Sequence, residues 1–175
     1  MTTTEATLTG IGALVAFWIV GAYNRMVRLR SDLVARFGAV DERYRHRHAL
    51  IENQLEMLST ALAAAAPRLE ALRAACRQAD TAREHARARP GAASVITSLR
   101  VADEILADAR ARLPVQSVAG VDLPDLNARL ATSDSALAFA RGEFNAAVAV
   151  YNEAVRQFPT ALVARLFSFR AAAAF

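Results

Sequence analysis

Nineteen consecutive uncharged residues, Ala6 to Asn24, separate Glu5 from Arg25, and this stretch constrains the chain more tightly than anything else in it. A helix of that length spans about 28 Å, close to the hydrocarbon thickness of a bilayer. Its centre, LTGIGALVAFWIVGA from Leu8 to Ala22, is apolar on every side, whereas a core helix of a small domain shows one apolar stripe. Leu8, Ile11, Leu14, Val15, Phe17, Trp18, Ile19 and Val20 supply the surface of a membrane anchor, with Trp18 and Tyr23 toward the end where amphipathic rings favour the interface. A cleavable signal peptide would carry basic residues ahead of its apolar run, and no Arg or Lys precedes Gly10. Gly12 and Ala16 have the small-residue spacing that allows close helix approach, a weak signal by itself. Arg25, Arg28, Arg30 and Arg36 follow the span, and only Glu5 precedes it. Basic residues are retained on the cytoplasmic side. The expectation is a single-pass protein of the inner (cytoplasmic) membrane with the bulk of the chain in the cytoplasm.

Beyond the span, packing residues recur at Met26, Leu29, Leu33, Phe37, Val40, Tyr44, His48, Ile51, Leu55, Leu58 and Leu62. Steps of three and four hold one helical face throughout. No proline occurs before Pro67, so anchor and first domain helix read as one rod to about Ala66. A second helix runs from Pro67 to about Arg89, where Pro90-Gly91 ends it. A third covers about Ala93 to Arg112, with Val95, Leu99, Ala102, Leu106 and Leu113 on its apolar side. LPVQSVAGVDL, Leu113 to Leu123, is the one long loop expected. A last long helix runs from about Asp125 to Phe158, stopped by Pro159. Abundant alanine and only 5 prolines and 7 glycines agree with an all-α chain. The fold class is therefore an N-terminal transmembrane helix continuing into an antiparallel bundle of about four long helices. Residues 1–24 form the tail and anchor, 25–159 the bundle and 160–175 an apolar C-terminal tail. That tail, with Leu162, Leu166 and Phe169 on one helical face flanked by Arg165 and Arg170, fits a headgroup interface as well as it fits a lid on the bundle or a subunit contact.

The long helices share an aromatic spacing. Phe37 and Tyr44 stand seven apart, continued by Ile51 and Leu58; Phe144, Tyr151 and Phe158 also stand seven apart. Residues so spaced lie on one helical face, which reads as a bundle core. Asp41, Arg141, Asn145 and Asn152 sit beside this ladder, as a polar rim or as a semi-buried network that sets helix register.

These residues carry a resemblance. Tyr23–Leu58, YNRMVRLRSDLVARFGAVDERYRHRHALIENQLEML, resembles the N-terminal signature of the LemA family: Tyr23-Asn24 directly after the span, then Met26-Val27-Arg28-Leu29-Arg30. Phe37 stands where the family usually has Trp, Asp41 matches an acidic position, and Leu50-Ile51 with Asn53 match a segment whose Pro is here Glu52. A second signature lies in Ala138–Phe169, where Ala140-Arg141, Phe144-Asn145, Tyr151-Asn152 and Phe158-Pro159 carry the match. Similarity is weak between about Thr60 and Leu123. The resemblance implies a helical bundle on an N-terminal anchor and implies no reaction.

A search for chemistry agrees. His46 and His48 are two apart and point in different directions on a helix, so they do not form a metal pair, and His85 stands alone. Phosphate-binding, dinucleotide and nucleophile-elbow motifs are missing. Cys76 has no second cysteine to pair with and reads as a small packed residue. All 21 basic residues are Arg, and the net charge of +4 is spread along the chain rather than gathered into the stripe of a nucleic-acid binder. Asp103, Glu104 and Asp108 read as a solvated face, as do most arginines. The expectation is a non-enzymatic, membrane-anchored helical scaffold or interaction protein that self-associates. It would have no catalytic or metal residues, no cofactor, no nucleic acid and no small-molecule substrate. Its partners would be the bilayer, further copies of itself and other membrane proteins. A membrane-shaping oligomer, or an accessory to a membrane protease or envelope-stress system, stays open as an alternative. The candidate network comprises Phe37, Asp41, Tyr44, Asn53, Arg141, Phe144, Asn145, Tyr151, Asn152 and Phe158.

Overall fold

A computed structural model describes residues 3–61, 66–113 and 123–175. All secondary structure among them is helical: α1 Thr3–Ala61, α2 Ala66–Ala88, α3 Ala93–Ala111, α4 Leu123–Arg156 and α5 Thr160–Leu166. The apolar N-terminal stretch and the first domain helix are one element of 59 residues, about 88 Å long. Pro67 and Pro124 each fall in the first turn of a helix, where the missing N–H costs nothing. Leu62 of the apolar stripe, and most of the expected 113–123 loop, lie outside the described residues.

The stripe on α1 is the spine of the core. Met26, Leu33, Phe37, Val40, Tyr44, His48, Ile51, Leu55 and Leu58 are buried, and Leu29 is partly buried against them. The apolar side of α3 is buried as its spacing predicts, with Ile96 added to it. α1 packs most extensively on α4, and α2 pairs with α3 and with α1. Contacts between α1 and α4 run in opposite chain directions, from Met26 near Val155, through Phe37 on Phe144, to Arg47 on Asp134. The same holds for α1 and α2, where Asp41 meets Arg83 and His48 meets Asp80. The bundle is therefore antiparallel, and α4 descends toward the apolar end of α1.

Residues 160–175 differ from a simple tail. A seven-residue helix, α5, packs on α1 and α4, and the chain then runs extended back into the bundle. It passes the α2–α3 turn at Gly91. Gly91 has φ +83°, and a Cβ there would lie 2.9 Å from the Cβ of Ala172. Its carbonyl accepts a hydrogen bond from the Ala173 N–H at 2.8 Å. Glycine meets both demands, left-handed backbone and close approach.

Candidate functional site

The aromatic ladders of α1 and α4 face one another and enclose the end of the chain. Phe37 and Phe144 meet edge to face with centroids 5.6 Å apart. The Phe175 ring enters between them, stacked 6.5 Å from Phe37, edge-on 5.6 Å from Phe144 and 6.4 Å from Tyr44. The Arg141 guanidinium lies 5.1 Å from both the Tyr44 and the Phe175 ring centroids. A cation over two rings in a low-dielectric setting is attracted by both quadrupoles.

The asparagines beside the ladder bind backbone. Asn152 Nδ2 donates to the Ala172 carbonyl at 2.8 Å, and its Oδ1 accepts from the Ala172 N–H at 2.7 Å. Asn145 Oδ1 accepts from the Phe175 N–H at 2.9 Å. An amide side chain offers one donor group and one acceptor, so it can satisfy an extended peptide unit as a neighbouring strand would. Seven residues separate the two asparagines, and three separate the backbone units they hold. The α-helix rises about 10.5 Å and the extended chain about 10 Å over those intervals, so the two repeats match.

A layer of charges lies deeper along α1. Arg141 donates to the Tyr44 hydroxyl and, at 2.6 Å, to Asp103 Oδ2. Arg47 of α1 pairs with the other oxygen of Asp103, and its Nε lies 2.6 Å from Asp134. Asp103 of α3 thus ties α1 to α4. Burial pushes the Tyr44 hydroxyl up to about 12, reinforced by the Asp103 carboxylate and opposed by Arg141. Burial alone would lower the Arg141 guanidinium, but Tyr44 and Asp103 outweigh it and raise it.

On the other side of α1, Arg83 Nη1 donates to Asp41 at 2.8 Å with both side chains buried. Arg83 Nε reaches Asp80, whose Oδ1 also lies 2.9 Å from His48 Nδ1. Burial would raise the Asp80 carboxyl, but the hydrogen bonds and charges of His48 and Arg83 bring it below its ordinary value. Cys76 is buried, and that burial, with Glu52 and Asp80 nearby, pushes its thiol up to about 11.

Eight of the ten network residues read from the sequence are thus placed on the facing sides of the helices: Phe37, Asp41, Tyr44, Arg141, Phe144, Asn145, Tyr151 and Asn152. Asn53 and Phe158 are elsewhere, both exposed. Phe158 leaves the α4 ladder because the helix stops at Arg156, two residues before it. Two expectations need correction. Asp103 is not on a solvated face, and Arg47 and Arg83 are buried rather than solvated; His48, a packing residue of the α1 stripe, is buried and partners Asp80. The signal for all four is a polar residue inside the three-four rhythm of an apolar stripe. Phe175 carried no such signal, because its partners lie 30 or more positions away.

Among the described residues no group of three or more His, Cys, Asp or Glu is arranged to hold a metal ion. The side chains at the ladder bind other parts of the same chain. A sequence profile described as the LemA family matches residues 36–175, which include every residue of the ladder and of the segment it holds. No curated protein and no solved structure matches the chain.

Proposed function

The chain belongs to the LemA family, and from that premise we propose that it is a membrane-anchored, self-associating helical scaffold rather than an enzyme. The observation that carries this reading is the continuity of α1. The same helix presents Leu8 to Val20 outward, with only Ile19 partly covered, and then buries Met26 to Leu58 in the bundle. One helix that is both anchor and core spine gives the domain a fixed height and rotation relative to the bilayer. That is useful for positioning partners and unnecessary for catalysis.

Two features support self-association. Gly10, Gly12 and Gly21 have no neighbouring atoms around their Cβ positions, so the side of the helix that carries Gly12 and Ala16 is open to another helix. Phe139 on α4 is 72% exposed beside Ala136 and the Arg36–Glu143 pair, an apolar site outside the core. The arginines after the span orient the bundle to the cytoplasm in this proposal. The test is native mass spectrometry of the full-length protein released from nanodiscs over a range of protein-to-lipid ratios. Two or more copies per complex are expected, reduced by Gly12→Leu. A monomer at every ratio would rule self-association out.

A further inference from the structure

The end of α4, α5 and the turn after it leave four large apolar side chains in the open within ten residues. Phe158 is 78% exposed, Leu162 57%, Leu166 71% and Phe167 46%. The other side of α5 is not open, since Val163 and Ala164 are buried against Ala22 and Met26 of α1. This docking fixes the height of the patch. Ala22 lies in the last turn of the uncharged stretch, about 4.5 Å along the helix on the membrane side of Arg25. Ile19 packs against the same cluster, and the Phe167 ring lies 4.8 Å from that of Tyr23. The exposed side of α5 therefore stands where the span would leave the hydrocarbon.

Charge agrees with that placement. Residues 160–175 hold two arginines and no acidic side chain. Arg165 and Arg170 are exposed, as are Arg25 and Arg28 on the neighbouring turns of α1. Apolar side chains flanked by arginines at one level are what a headgroup layer accommodates, the rings and leucines entering the acyl boundary and the guanidiniums reaching phosphate.

We infer that Phe158, Leu162, Leu166 and Phe167 form a second membrane contact, an interfacial foot beside the anchor that seats the bundle on an anionic lipid surface. The inference rests on Ala6–Asn24 spanning the bilayer. With two contacts the bundle cannot tilt freely about α1, because its main packing partner, α4, is also held at the surface through α5.

The chain has one tryptophan, Trp18, inside the span, so tryptophan quenching separates the foot from the anchor. Full-length protein is placed in nanodiscs of phosphatidylcholine and phosphatidylglycerol, with and without brominated acyl chains. Unaltered protein reports on Trp18. Trp18→Phe combined with Leu166→Trp, or with Phe167→Trp, reports on the foot; Leu166 is 71% exposed and open to an indole, and Phe167→Trp exchanges one aromatic ring beside Tyr23 for another. Expected are blue-shifted emission and its loss on bromination for Trp18 and for both foot variants. Loss for Trp18 with foot emission that is red, quenched by iodide and untouched by bromine would overturn the foot and leave the anchor standing. Foot emission shielded from both quenchers would also overturn it, showing the patch covered by another copy of the protein. No bromine quenching of Trp18 would remove the anchor, and the foot with it.

Discussion

Asn152 shows most directly what single side chains do here. Its amide holds both polar groups of Ala172, so Asn152→Ala leaves a partly buried peptide unit without partners. The expected cost is about 1–3 kcal/mol, read as a lower midpoint in urea with faster amide exchange at Ala172 and Ala173. Asn53→Ala, at an exposed site, should stay within about 0.5 kcal/mol of the parent. Tyr44 makes a second prediction. Its hydroxyl titrates higher in the folded protein than in the unfolded chain, about 12 against 10.0. The unfolded state therefore loses this proton first, and stability must fall as pH rises from 10 toward 12. The expected loss over that window is on the order of 2–3 kcal/mol. Denaturation midpoints across that range should decline less steeply in Tyr44→Phe; equal slopes would show that Tyr44 is not the titrating group.

At the scale of elements, the contact between α1 and α2 turns on one buried ion pair. Asp41→Ala removes the buried partner of the Arg83 guanidinium and leaves it the more exposed Asp80, at an expected cost of about 1.5–3 kcal/mol, whereas replacing both partners, Asp41→Leu with Arg83→Met, should be near neutral. Thermal melts of the single and double variants decide this, and a double variant as unstable as the single would refute it. The contact between α1 and α4 turns on aromatics instead. Phe144 is fully buried and touches Phe37 and Phe175, so Phe144→Ala should cost about 3–5 kcal/mol and free the chain end. Both kinds of contact were partly legible in the sequence. The seven-residue aromatic spacing marked the ladder and its neighbouring Asp41, Arg141, Asn145 and Asn152. It did not mark Asp103 as the carboxylate between α1 and α4, because an acidic residue on a polar-looking helix reads as solvated until its partners are known.

At the scale of the whole molecule, one helix sets the frame and the chain end closes it. α1 crosses from the apolar stretch to the top of the bundle, α4 returns, and α5 with the extended segment locks the return against both. The orientation proposed from Arg25, Arg28, Arg30 and Arg36 has a direct test. Protease added outside spheroplasts should leave residues beyond Arg25 intact, and detergent should expose them. Digestion without detergent would invert the topology. The closed frame also predicts cooperativity. Removing residues 169–175 should lower the unfolding midpoint of the entire bundle rather than of α5 alone, seen as one shifted transition by circular dichroism.

What the sequence alone determined was local and periodic. Nineteen uncharged residues made the apolar stretch of α1, the three-four rhythm made the rest of α1 and its buried face, and prolines 67, 90, 124 and 159 punctuated the helices. Such features depend on neighbours within a few turns, so they are written in the order of residues. Tertiary structure decided which polar groups meet. Asp103 pairs with Arg47 and Arg141, Asp41 with Arg83, and Asn145 and Asn152 hold the backbone of Phe175 and Ala172. It also decided that residues 160–175 do two things, one side of α5 covering α1 while the chain end fills the aromatic ladder. A single polar side chain has no period, and its partner can lie anywhere in the chain. Only the packed bundle, where an unpaired buried charge is expensive, selects it.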